Sequence, residues 1–185
     1  TPITPNQITL VSLALALTGA GMLALGEKTY DNWGVGLFAF ARFLDHFDGE
    51  LARQKEMASR LGYYLDYVSG ALSYGALFLC LGIGFVGSIL GPWALVLGLT
   101  GSASAAISMF ANLNIDKHIK HEVGKDSVGY PGFAGFELED GIYLIAPITW
   151  FGFLMPFFVA AGIGAGIYTL TGGAGGDTLT GGAGI

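Results

Sequence analysis

Three aspartates and an arginine stand where an otherwise apolar chain carries few charges. Arg42, Asp45 and Asp48 follow one another within a run of Phe, Leu and Ala, and Asp66 lies at the start of the next apolar run. A charge inside a membrane span costs about 2.5–3.5 kcal/mol on insertion scales, so each needs a partner. Asp45 and Asp48 are three apart and share one helical face, which Ala52 continues a turn later. Asp66 falls early in the next helix, which must run antiparallel after a short connection. The three carboxylates can therefore converge between two helices near one membrane surface. Unpaired, they would repel one another and stay protonated. A divalent cation removes both penalties, and hard oxygen donors with room for phosphates suit Mg²⁺ or Mn²⁺. The plainer alternative is a solvated helix end, or pairing with Arg42, Arg53 and Arg60.

The elements that must position these residues are membrane helices. Of 185 residues, 52% are hydrophobic and 12% charged, and the mean hydropathy is +0.60. Soluble domains carry roughly 25% charged residues, so a water-soluble fold could not cover itself with so little charge. The net charge of −6 rests on only eight Lys and Arg, which excludes a nucleic-acid platform built on a basic face. Cys80, the single cysteine, can form no intrachain disulfide.

Apolar runs of spanning length, about 20 residues, are predicted at about Ile8–Leu25, from Trp33 past Phe47 into Arg53, at Leu61–Leu90 and at Trp93–Leu113. Thr4-Pro5-Asn6-Gln7 is the entry to the first, Gly26 ends it, and Gly91-Pro92 separates the third from the fourth. Residues 141–170 are too long for a single span, and Gly152 and Pro156 offer a break. Two short spans there give six in all: an all-α polytopic membrane protein. Arg53, Lys55 and Arg60 fall in one connection, and Lys117, Lys120 and Lys125 in the polar stretch 114–140. Both lie on the same side in a six-span plan, and the positive-inside rule makes that side, and both termini, cytoplasmic. The opposite loop, Glu27–Asp31, is acidic. Small residues at 101–106 would let the fourth span pack closely against a neighbour, within the chain or in a dimer.

From Asp45 the chain reads Asp-x2-Asp-Gly-x2-Ala-Arg-x8-Gly-x3-Asp, ending at Asp66. This pattern resembles the signature of the CDP-alcohol phosphatidyltransferase family, and the opening Thr-Pro-Asn-Gln-Ile-Thr and six-span plan are similar to it as well. The resemblance covers residues 1–170. It implies transfer of a substituted phosphate from a CDP-alcohol lipid donor, such as CDP-diacylglycerol, to an acceptor alcohol with release of CMP, in phospholipid biosynthesis at the bacterial inner membrane. It also implies metal ligation, by Mg²⁺ or Mn²⁺, at Asp45, Asp48 and Asp66. Gly49 and Ala52 would lie against the cytidine, Arg53 would neutralise phosphate charge, and Gly62 would permit close helix approach. A homodimer is the family's common form. Displacement at phosphorus needs positioning and charge neutralisation, which two metal ions supply.

The family pattern ends with a further Asp, taken as the base for the acceptor alcohol, four residues after Asp66. Here that position is Gly70. Loss of a general base costs about 10²–10⁴-fold in rate. Three readings follow. Gly70 is an engineered change; it is a natural loss, leaving a lipid-binding or structural subunit of a larger membrane complex; or another carboxylate stands in. Glu137, Glu139 and Asp140 are the candidates for the last, although a charged helix N-terminus explains them equally. Ser69 and Ser73 are nearby but poorly basic.

Residues 171–185 form a separate Gly-rich segment. Gly172–Thr180 resembles the Ca²⁺-binding nonapeptide of RTX β-helices, and a second copy begins after it. One and a half repeats cannot bury a core, so the reading is a flexible end or the stub of a longer repeat region.

Overall fold

The computed structural model describes residues 4–54, 59–123 and 142–179. These residues fold into helices α1 (Pro5–Leu23), α2 (Lys28–Gln54), α3 (Arg60–Gly84), α4 (Trp93–Val123), α5 (Ile145–Trp150) and α6 (Leu154–Leu179). A 3-10 turn, Phe85–Gly87, extends α3. The chain is all-helical among the described residues.

Local sequence sets the helix ends. Thr4 precedes Pro5, whose fixed φ and missing N–H suit the first helical position. The Thr4 N–H then donates to Gln7 Oε1 at 3.0 Å. Ser59 caps α3, its Oγ accepting from the Gly62 N–H at 3.0 Å. Gly26, Gly91 and Gly152 adopt φ of +65°, +51° and +85°, a region costly for residues with a Cβ. They stand at the three breaks expected from the sequence. Pro156 lies in the first turn of α6, where its missing donor is no loss.

Three expectations need correction, and the count of six spans is not reached among the described residues. The apolar stretch 141–170 does not give two spans among the described residues. It breaks at residues 151–153, but α5 has six residues, about 9 Å of rise, too short to cross a membrane. Among the described residues three helical segments are long and apolar enough to do so: Pro5–Leu23, Leu61–Gly87 and Trp93–Ala111, with Leu154–Ile167 apolar but shorter. Residues 114–123, read as a loop, continue α4, because no Gly or Pro interrupts residues 102–123. That helix carries Lys117 and Lys120. The acidic connection 27–31 is shorter than expected, since α2 already begins at Lys28. Finally, α6 runs through Leu179 and takes in most of the Gly-rich segment; no proline after Pro156 interrupts its hydrogen-bond ladder.

α1 packs against both α2 and α3, α3 against α4, α4 against α6 and α2 against α5. The core is Ala16, Ala20 and Leu23 of α1, Val35 and Phe38 of α2, Leu77 and Leu81 of α3, Ala94 of α4, Ile145 of α5, and Leu154 and Phe158 of α6. Phe158 stacks on Phe85 with ring centroids 5.6 Å apart. Two close crossings hold the frame. A Cβ at Gly19 would lie 2.6 Å from Gly34 O, and one at Gly98 would lie 2.8 Å from Phe78 O and 3.0 Å from Gly82 Cα. Between helices in lipid, such backbone approach replaces the hydrophobic effect as the source of association. The small residues at 101–106 are used within the chain, with Gly101 against the Phe78 ring and Ser102 Oγ against Gly75.

Gly98→Ala and Gly36→Ala should therefore differ in sign. Both gain helix propensity, about 1 kcal/mol. Gly98→Ala meets backbone that cannot rotate away and should lose a net ~1–2 kcal/mol, since overpacking costs about 1–3 kcal/mol. Nothing lies within 4 Å at Gly36, so its variant should be neutral or more stable. Thermal unfolding in detergent distinguishes them.

Candidate active site at the meeting of α1, α2 and α3

Asp45 is the buried anchor of the site. It lies on α2, 7% exposed, and its Oδ2 pairs with Arg42 Nη1 at 2.9 Å, one turn earlier. Its Oδ1 accepts from Ser12 Oγ of α1 at 3.0 Å. Ser12 Oγ also lies 2.9 Å from Thr9 O. A hydroxyl has one proton, and the charged carboxylate is the stronger acceptor. Both oxygens of Asp45 are thus engaged by named groups.

Arg42 ties this pair to α3. Its guanidinium carbon sits 5.0 Å from the centroid of the Tyr74 ring, within cation–π range. Tyr74 in turn meets Phe38 of α2 edge-on, centroids 6.1 Å apart. Asp66 of α3 also lies within electrostatic reach of Arg42. Asp66 is exposed, and its backbone carbonyl accepts from Ser69 Oγ at 2.9 Å. Ser69 is therefore turned back on its own helix. Ser73 is 1% exposed and its Oγ has no partner among the described residues.

The remaining sequence-predicted residues divide as follows. Gly49, Ala52, Arg53 and Asp48 lie on α2 in continuation of Asp45, with side chains outside the described ones. At Gly62 an added Cβ would lie 2.9 Å from Asn6 Oδ1 and 3.2 Å from Ser59 Oγ. The glycine thus admits the Asn6 side chain from the start of α1. At Gly70, also buried, a Cβ would meet Met109 Cε of α4 at 3.1 Å and its Sδ at 3.4 Å. Met109 borders an apolar cleft of about 300 Å³ between α3, α4 and α6, which Tyr74 and Ser104 also line. Glu137, Glu139 and Asp140 lie outside the described residues. His46, next to Asp45, is exposed.

The donor set suits a hard divalent cation. Asp45 and Asp66 offer oxygen, and among the described residues no His or Cys is gathered with them. The buried carboxylate of Asp45 already requires a cation, which Arg42 provides. Among the described side chains no group of three or more His, Cys, Asp or Glu is gathered; the side chain of Asp48 lies outside the described ones. Ser12 and Met109 were not singled out from sequence, and Asn6 only as part of the opening Thr-Pro-Asn-Gln-Ile-Thr. Ser12 had a visible signal: Thr9, Ser12, Ala16, Gly19, Ala20 and Leu23 recur at helical spacing, and all six are buried.

Breaking the Arg42–Asp45 pair should be costly and removing it whole should not. Asp45→Leu and Arg42→Met should each destabilise by about 3–5 kcal/mol, because each leaves a buried charge without its partner. The double variant should recover most of that loss. Denaturant titration of all four chains in one detergent measures the coupling.

The chain matches the CDP-alcohol phosphatidyltransferase family over residues 2–171. It is 42% identical over 66 residues to the bifunctional IPC transferase and DIPP synthase of Rubrobacter xylanophilus, a match spanning 36% of this chain and only 14% of that protein. The Mycobacterium tuberculosis phosphatidylinositol phosphate synthase PgsA1 in apo form superposes with a TM-score of 0.60, at 18% identity, over 92% of this chain and 88% of that one. The same enzyme in complex with manganese and citrate gives a TM-score of 0.56, at 19% identity, over 91% and 76%. At these identities the structural likeness establishes the fold. With the family match extending over nearly its whole length, the chain belongs to the CDP-alcohol phosphatidyltransferase family.

Proposed function

We propose that this protein transfers a substituted phosphate from a CDP-alcohol such as CDP-diacylglycerol to an acceptor alcohol, releasing CMP, in phospholipid biosynthesis. The observation that carries the reading is the run from Asp45 to Asp66, with every fixed position present. It lies on the two helices that α1 joins, and Asp45 is held at their meeting point by Arg42 and Ser12. The acceptor oxygen attacks the phosphorus that bears the lipid alcohol, the bond from that phosphorus to the bridging oxygen breaks, and CMP leaves with the electron pair. The acceptor's proton must go to a base.

Asp45, Asp48 and Asp66 would hold Mg²⁺ or Mn²⁺, which when bound neutralises the pyrophosphate and the developing charge on CMP. Gly49 and Ala52 carry little bulk on the helix face along which cytidine would lie. Arg53, a turn further on, would meet phosphate with a bidentate fork. The motif side of the membrane is cytoplasmic in this reading, the membrane is the bacterial inner membrane, and the working form is a homodimer.

Gly70 bears on turnover rather than on donor binding. Its position holds no base, and Met109 Cε occupies the space into which a longer side chain would grow. This one contact favours a second reading, a catalytically impaired member acting as a lipid-binding or structural subunit. Glu137, Glu139 and Asp140 are the candidate stand-in acids.

The test is Mg²⁺-dependent CMP release from CDP-diacylglycerol with a panel of acceptor alcohols. The chain as it stands should turn over slowly, and Gly70→Asp should raise the rate by about 10²–10⁴-fold. Met109→Ala in the Gly70→Asp background should add to the gain by clearing the contact. Silence from every version, with unrelated proteins co-purifying at fixed stoichiometry, would favour the subunit instead.

A further inference from the structure

Arg42 is a partly buried cation that the family signature does not include, and it occupies the carboxylate around which the site is built. Asp45 has two oxygens; Arg42 Nη1 takes one at 2.9 Å and Ser12 Oγ the other at 3.0 Å. The guanidinium is held from its other side by the Tyr74 ring at 5.0 Å. Its Nε is buried and makes no hydrogen bond among the described residues, so the fork is not fully satisfied where it sits. A divalent ion approaching Asp45 thus meets a like charge and an oxygen already engaged.

We propose that Arg42 is the stand-in cation of the metal-free protein, a positioning residue that compensates Asp45 until a divalent ion displaces it. The inference rests on the metal-dependent reading above and adds a residue to it. In the empty state the ion pair holds the Asp45 carboxylate in place, one oxygen on Arg42 Nη1 and the other on Ser12 Oγ. A divalent ion held by Asp45 would take over the charge compensation that Arg42 now supplies, and Arg42 would leave the carboxylate. The consequence is thermodynamic competition: whatever Arg42 contributes to the empty site is subtracted from the affinity for metal.

Mn²⁺ binding to the full chain in detergent, read from the electron paramagnetic resonance signal of free Mn²⁺, tests this directly. Arg42→Gln should bind Mn²⁺ about tenfold tighter than the parent, as loss of one charge-assisted hydrogen bond to a carboxylate predicts. Its metal-free melting temperature should fall while the rise produced by Mn²⁺ grows. Arg42→Lys should lie between the two. Tyr74→Leu leaves both charges in place but removes the ring that holds the guanidinium. It should shift affinity the same way by a smaller factor, and it carries the test if Arg42→Gln does not fold. Equal or weaker Mn²⁺ binding by the variants would overturn the inference and reduce Arg42 to a structural partner. Absence of Mn²⁺ binding in every chain, with CMP release still seen in Mg²⁺, would overturn it while leaving the proposed reaction standing.

Discussion

A carboxylate placed between helices in a membrane cannot be left to itself, and Asp45 shows how this chain meets that constraint. A charged arginine one turn away on α2, a hydroxyl from α1 and an aromatic ring from α3 all converge on it or on its partner. The polar contacts are few: the Arg42–Asp45 pair lies within α2, the Ser12 hydroxyl joins α1 to it, and the Tyr74 ring joins α3 to it. Together they fix the relative placement of α1, α2 and α3 at the end where the motif residues cluster. Without those contacts a buried carboxylate would be left without a partner, and the three-helix junction would lose its register.

The frame that holds this junction is made of close backbone approach. Gly19 and Gly34 seat α1 against α2, and Gly82 and Gly98 seat α3 against α4, at distances that leave no room for a Cβ. Between the glycine crossings lie the buried Phe38, Leu77 and Leu81. Small residues thus bring the helices near, large ones fill what remains, and the buried polar groups of α1, α2 and α3 are Thr9, Ser12, Asp45, Ser69 and Ser73, with Ser104 of α4 and Thr149 of α5 buried besides. The same economy of volume appears at Gly62, where the absence of a side chain admits Asn6. It appears again at Gly70, where the absence of the family's aspartate is matched by a methionine from α4.

The family motif was legible in the sequence because it is written in residue types at fixed spacing along two adjacent helices. Asp45, Asp48, Gly62 and Asp66 need no tertiary knowledge to be found. The helix breaks at Gly26, Gly91 and Gly152 were legible too, since each needs a backbone conformation that glycine alone adopts cheaply. Pairings across the fold were not. Ser12 lies 33 residues from Asp45, and nothing in either segment announces the other. The contact between Gly70 and Met109 is equally invisible before α3 and α4 are packed. Hydropathy measures the apolar length of residues 141–170 but not how the break at Gly152 divides it, and among the described residues α5 is a single short helix.

The most direct test of the account is donor binding, separated from turnover and hence from Gly70. The affinity of the full chain for CDP-diacylglycerol would be measured in mixed micelles with Mn²⁺, with a chelator, and in the Asp66→Asn variant. The account predicts binding that needs the metal and weakens at least tenfold in Asp66→Asn, because that carboxylate would be one of the ion's ligands. Binding that is absent with Mn²⁺, or indifferent to both the chelator and the substitution, would contradict the placement of a metal-dependent CDP-alcohol site between α2 and α3.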